Sequence, residues 1–163
     1  MLRSVWFPFV LTDATLLHSV MLLAASYYGA ARGPDSHDFD IYALRGMAMR
    51  GINENILDPA ASLSDELIGS VLNVAAYEAL FGDRDAYATH MSGLQKIVQI
   101  RGGLGALGLN GLLQRMILWI DSNASYVTGF NVFFDKTNFP TSVDHPALNL
   151  AMFGIRRDSH SRP

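Results

Sequence analysis

Apolar residues recur along this chain at helical spacing, and no stretch alternates long enough to make a strand. The first helix is predicted to open at Thr12 or Asp13 and run to about Ala31, where Gly33-Pro34 stops it. Its apolar positions surround the whole helix, so deep burial is expected. A second helix is predicted from about Asp38 to Leu57, with Tyr42, Leu44, Met47, Met49, Ile52 and Ile56 packing inward. Gly46 and Gly51 weaken it, and Asp58-Pro59 ends it. The third has the clearest beginning: Ser64 caps, Asp65 and Glu66 meet the positive end of the helix dipole, and apolar residues follow to Phe81. Gly82-Asp83 leaves only a tight turn, so the fourth helix, capped by Asp83, should return antiparallel to the third. On it Tyr87, Met91, Leu94 and Val98 mark one face, with Lys96 and Gln99 off that line. A fifth begins near Asn110 and carries LLQRMILWI towards Tyr126. After Gly129 the period dissolves into a loop, with a short closing helix expected near Ala147 to Phe153.

This pattern predicts an all-α fold, a helical bundle or an array of antiparallel helix pairs with about five main helices. One helical domain is expected over residues 1–155, followed by a polar tail over 156–163.

Composition narrows the chemistry. Half of the 163 residues are hydrophobic and only 17% are charged, which suggests surface meant to be covered by further chain or a second subunit. The formal net charge of −3 leaves no basic footprint for nucleic acid. With no cysteine, disulfides, thiolate zinc sites and cysteine nucleophiles are excluded. Residues 14–31 are uncharged and long enough to span a bilayer, but Asp13 heads the run and His18, Ser19, Ser26, Tyr27 and Tyr28 interrupt it. A buried helix is the commoner source of such a run, and no membrane partner is expected.

RGGLGALG, residues 101–108, fits G-x-G-x-x-G from Gly103. That fingerprint binds a pyrophosphate only between a strand and a helix, and the residues before Gly103 carry a helical period instead. Asp121 lies at a tempting distance for a ribose ligand but sits mid-helix in MILWIDSNA. The glycines therefore read as a joint. Gly102 or Gly103 takes the left-handed conformation after a helix, Arg101 meets the negative end of the dipole, and Leu104 and Leu107 tuck back onto the core. Asp121, flanked by Trp119 and Ile120, needs a partner if buried, and an Arg101–Asp121 bridge across the loop is the expected clasp. His18 and His90 lie in helices without metal-ligand spacing; His37, His145 and His160 read as solvated, and Asp144-His145 is adjacency alone. Met21, Met47, Met49, Met91 and Met116 read as core filler. No cofactor is implied.

In order, the blocks VWFPFVLTDATLLHSVMLLAASYY, ALRGMAMRGINENILDP, SLSDELIGSVLNVAAYEALFGD, HMSGLQKIVQIRGGLGALG and LLQRMILWIDSNAS resemble the regulatory domain of fungal-specific transcription factors, from about Trp6 to Phe134. These proteins read DNA through an N-terminal six-cysteine binuclear zinc cluster. The most specific piece is the block from His90 to Gly108 followed by Trp119-x-Asp121, with His90, Gly93, Arg101, Gly102, Gly103, Trp119 and Asp121 as the motif. The resemblance implies an all-helical, nuclear, non-catalytic regulatory or effector domain. Its partners would be coregulators, a second copy of itself or a small-molecule effector. Without cysteine the zinc cluster and its DNA reading are absent from these residues, and the chain is shorter than the usual regulatory region, as a truncated or stand-alone relative would be. Two other readings of the residues stay open. One is a helical protein-interaction module; the other is a small-molecule-binding helical protein or enzyme using His18, His90, Arg101 and Asp121 around an interior pocket.

Overall fold

The structure is a computed structural model that describes residues 2–33 and 40–139. Among these residues every regular element is helical. The expected closing helix over 147–153, the tail over 156–163, and His37, His145 and His160 lie outside the described residues.

The five main helices stand where the periodicity puts them: α2 (Ala14–Arg32), α3 (Ile41–Leu57), α4 (Asp65–Phe81), α5 (Arg84–Arg101) and α6 (Leu112–Thr128). A short α1 (Phe7–Val10), entered through a π-helical turn over Leu2–Trp6, precedes them and was not predicted. Pro8 falls in the first turn of α1. Side chains cap four of the helix starts. Asp13 accepts from the Leu16 amide at 2.7 Å, Asp40 from Ala43 at 2.9 Å, Ser64 from Leu67 at 3.1 Å and Asp83 from Ala86 at 2.8 Å.

The core is organised around α4, which packs against α2, α3, α5 and α6. Every residue from Leu67 to Ala79 is buried. Small residues make this possible: a Cβ on Gly69 would lie 3.0 Å from Leu16 and 3.3 Å from Trp6, so α4 meets α2 and the N-terminal turn almost backbone to side chain. The expectation of deep burial for the first helix is therefore corrected. α2 buries one face, with Leu16, Ser19, Leu22 and Ala25 turned inward, and exposes Met21, Tyr27 and Tyr28. It is long and apolar enough to cross a membrane by length and composition, and its buried stripe lies against α3 and α4. α3 likewise keeps Leu44 and Ile52 inside but exposes Tyr42, Met47 and Ile56, because it lies on the outer side of α2 and meets the core along a narrow seam. The same geometry leaves Met21 and Met47 outside, whereas Met91 and Met116 fill the core.

Contacts between helices set their directions. Thr15, early in α2, crowds Gly51, late in α3, so that pair is antiparallel. Asp65 at the start of α4 pairs with Arg101 at the end of α5, so that pair is antiparallel too. α2 runs parallel to α4, with the buried Asn73 Nδ2 donating to Ser19 Oγ at 3.2 Å, and Tyr27 edge-on to Phe81 at 5.1 Å. α5 and α6 both rest on α4 yet make little direct backbone approach to each other, which leaves a cleft between them.

Candidate functional site

The glycine-rich joint begins as a helix end. Gly102 takes φ 109°, ψ 18°, the left-handed cap a side chain would resist. Its amide donates to Gln99 O at 3.1 Å while the Gly103 amide reaches Val98 O at 2.8 Å, the paired 5→2 and 6→1 bonds of a Schellman cap. Leu104 and Leu107 are buried, as their spacing predicts. The two ends of RGGLGALG then converge on one carboxylate. Arg101 stands 3.0 Å from Asp65 Oδ1 and also donates to Leu63 O, and the Gly108 amide donates to Asp65 Oδ2 at 3.0 Å. A Cβ on Gly108 would meet Asp65 Oδ2 at 2.1 Å, so the fourth glycine of the motif makes room for an acid rather than for a phosphate.

This corrects the expected Arg101–Asp121 clasp. Arg101 closes the last turn of α5, and Asp121 lies against Tyr87 in the first turn of α5. Those two places are separated by about 21 Å of helical rise, beyond any arginine's reach. His90 and Arg101 are likewise about 16 Å apart along the same helix, so His18, His90, Arg101 and Asp121 do not line one pocket.

Asp121 is 1% exposed and serves a different segment. Its Oδ2 accepts the Phe134 amide at 2.8 Å, and its Oδ1 accepts the Phe133 amide at 3.1 Å and the Tyr87 hydroxyl at 3.4 Å. The chain after α6 is thereby strapped across the cleft between α5 and α6. Gln95 of α5 donates to Phe133 O, the Tyr87 ring stacks on Phe130 at 6.3 Å and meets Phe133 edge-on at 5.7 Å, and Phe134 and Phe139 are buried. Arg84 lies over the Phe130 ring at 5.0 Å. Burial pushes the Asp121 carboxyl above the usual carboxylate range, against the pull of the Phe134 and Phe133 amides and the Tyr87 hydroxyl. Burial, then the Asp121 charge and hydrogen bond, raise the Tyr87 hydroxyl well above a free phenol, so at neutral pH it is a donor.

A third carboxylate repeats the device. Glu78, 2% exposed, accepts from Arg45 Nε at 2.7 Å and pairs with Arg45 Nη2 at 2.6 Å through its Oε1, while its Oε2 accepts the Asp83 amide at 3.0 Å and so fixes the α4–α5 turn. Burial lowers the pKa of His90, the Glu78 charge opposes that and the Arg45 charge adds to it. Among the remaining motif residues, Trp119 is partly buried against the core, and a Cβ on Gly93 would meet open space. His18 sits half-buried on α2. Among the described residues no three His, Cys, Asp or Glu side chains gather as a metal site.

Sequence reasoning missed Asp65 and Glu78 as loop anchors and gave Asp121 the wrong partner. A signal was present for two of them: Gly82 and Gly108 each sit where a Cβ would collide with a carboxylate oxygen, at 2.0 Å from Glu78 and 2.1 Å from Asp65. Nothing in the sequence says which acid lies opposite.

No curated protein and no solved structure matches the chain significantly. The sequence model of the fungal specific transcription factor domain matches residues 1–156, nearly the whole chain and all of the elements above. The chain belongs to the fungal specific transcription factor domain family, whose role is regulatory and lies in transcription.

Proposed function

We propose that this chain is a non-catalytic regulatory or effector domain of a fungal transcription regulator, working in the nucleus through protein or metabolite contacts and without touching DNA or membrane itself. The observation that supports this reading is the use made of the enclosed acids. Asp65, Glu78 and Asp121 each accept at least one backbone amide at a loop, so all three hold chain in place. The acidic balance of the chain opposes phosphate contacts. Its partners are coregulators or a second copy, and the exposed aromatic and aliphatic side chains on the outer faces of α2, α3 and α6, among them Tyr42, Leu57 and Tyr126, offer surface for them.

Tethering the chain to an unrelated DNA-binding domain upstream of a reporter tests this. Reporter output should change at least several-fold with the chain attached, and unchanged output at equal protein level would overturn the reading. In a mobility shift at low salt the isolated chain should leave promoter DNA unshifted.

A further inference from the structure

We infer that the outward face of α2 is a self-association seam, on which two copies of this chain pair antiparallel about a two-fold axis. Ala14, Leu17, Met21, Ala24, Tyr28 and Ala31 make up that face, at alternating steps of three and four. Leu17 is half-buried and the others are exposed, on the side of α2 opposite its buried Thr15, Ser19, Leu22 and Ser26. A solvated helix face carries polar residues, and the outward face of α5 does so at the same spacing, with Asp85, Thr89, Ser92, Lys96 and Gln99. On α2 the spacing instead repeats the a and d positions of a coiled-coil seam, which two helices bury against each other.

The order of residues along the seam specifies a second copy. A two-fold interface must complement itself, each residue meeting another of the same patch. With a facing d in an antiparallel pair, Ala14 meets the partner's Ala31, Leu17 the partner's Tyr28 and Met21 the partner's Ala24. One axis, level with Leu22 and Leu23, generates all of these contacts. Charge selects the same order. Residues 14–31 are uncharged, and Asp13 and Arg32 bracket them. Asp13 caps α2 and Arg32 lies over the Tyr28 ring at 5.1 Å, so both are held at the ends of the seam. The antiparallel order sets each Asp13 level with the partner's Arg32, whereas a parallel order sets like charge beside like. α2 spans about 28 Å, so the seam falls at the small end of specific interfaces, and a micromolar dimer is expected. The inference deepens the second-copy part of the proposed function and rests on it there alone. A dimer that leaves the reporter unmoved would sink the transcriptional reading; a monomer that moves it would sink the seam.

Sedimentation equilibrium of the full chain from about 1 to 200 µM should show a reversible monomer–dimer equilibrium. Met21→Lys and Ala24→Glu, both at exposed positions, should each keep helical ellipticity and weaken dimerisation at least tenfold. Mixed together, the two variants should form a heterodimer within about threefold of the parent's affinity. In the antiparallel register the introduced lysine faces the introduced glutamate, while the remaining Met21 still meets the remaining Ala24. Ser92→Lys, on the outward face of α5, should leave dimerisation unchanged. A parent monomeric throughout that range, undiminished dimerisation of the single variants, no recovery on mixing, or an equal loss with Ser92→Lys would each overturn the proposal. A monomeric parent that floats with phosphatidylcholine vesicles would overturn it too, by assigning the face to a membrane.

Discussion

Two loops leave the ends of α5 and α6, and each is held by an aspartate, yet the two aspartates work under opposite conditions. Asp65 lies in the first turn of α4, where the helix dipole favours a negative charge, keeps 15% of its side chain exposed and has Arg101 at 3.0 Å. Asp121 lies in the middle of α6, is 1% exposed, and is held by two amides and a phenol. At Asp65 the charge is stabilised from several sides, and losing one partner leaves others. At Asp121 the carboxylate is held against its own desolvation by neutral donors, two backbone amides and a phenol. A partly buried, dipole-assisted acid trims a loop; a fully buried one specifies where a segment goes.

The largest effect should follow from breaking the buried node. Asp121→Ala strands the Phe133 and Phe134 amides and the Tyr87 hydroxyl, and should cost about 3 kcal/mol or more in denaturant unfolding, at roughly 1 kcal/mol or above per buried donor. A loss below 1 kcal/mol would mean that water replaces the carboxylate.

Next comes Gly108→Ala, which drives a methyl to 2.1 Å from Asp65 Oδ2 and should cost about 1–3 kcal/mol. In an Asp65→Ala background the same substitution should lose more than half of that cost, and additive behaviour would show that the glycine serves the backbone instead.

Arg101→Ala should be milder, about 1 kcal/mol, because 28% of its side chain is exposed and solvent screens the pair. A double-mutant cycle should couple Arg101 to Asp65 and leave Arg101→Ala additive with Asp121→Asn. Coupling to Asp121 would restore the clasp expected from the sequence.

The smallest effects are those of pH, and their signs differ between the two regions. Asp121 holds its proton more tightly folded than unfolded, so its contribution is fullest below the unfolded value and is lost as pH rises through the raised folded one. The parent should therefore gain stability relative to Asp121→Asn as pH falls towards the carboxylate range. His90 is lowered from 6.5, so the unfolded chain takes its proton first and stability is lost as pH falls below that value. His90→Gln should flatten that loss in thermal unfolding across pH 5–7, where ~6.5 is the unfolded midpoint.

How far these features were legible depends on how local they are. Asp13, Ser64 and Asp83 cap the helices they were expected to cap, and the Tyr87-Met91-Leu94-Val98 face is buried throughout, because both are settled within four residues of chain. Gly102 ends α5 for the same reason. The short α1 was missed because four residues, Phe7–Val10, are too few to show a helical period. The expectation of an enclosed α2 failed on a different ground. Its composition differs little from that of α4, and which apolar helix becomes central depends on how many neighbours reach it.

The sequence by itself determined an all-helical chain, its helix ends, and a glycine-rich joint that is no phosphate cradle, because propensity, capping and period act over a single turn. Only the tertiary structure decided that α4 is the axis, that Asp65 and not Asp121 receives Arg101, and that Asp121 straps an aromatic segment across the α5–α6 cleft. Gly108 and Asp65 are separated by 43 residues, and Phe134 reaches Asp121 from beyond the end of α6. Such partners are chosen when packing removes water from a carboxylate and leaves it the nearest unpaired donors, a choice made by helix placement that no local pattern encodes.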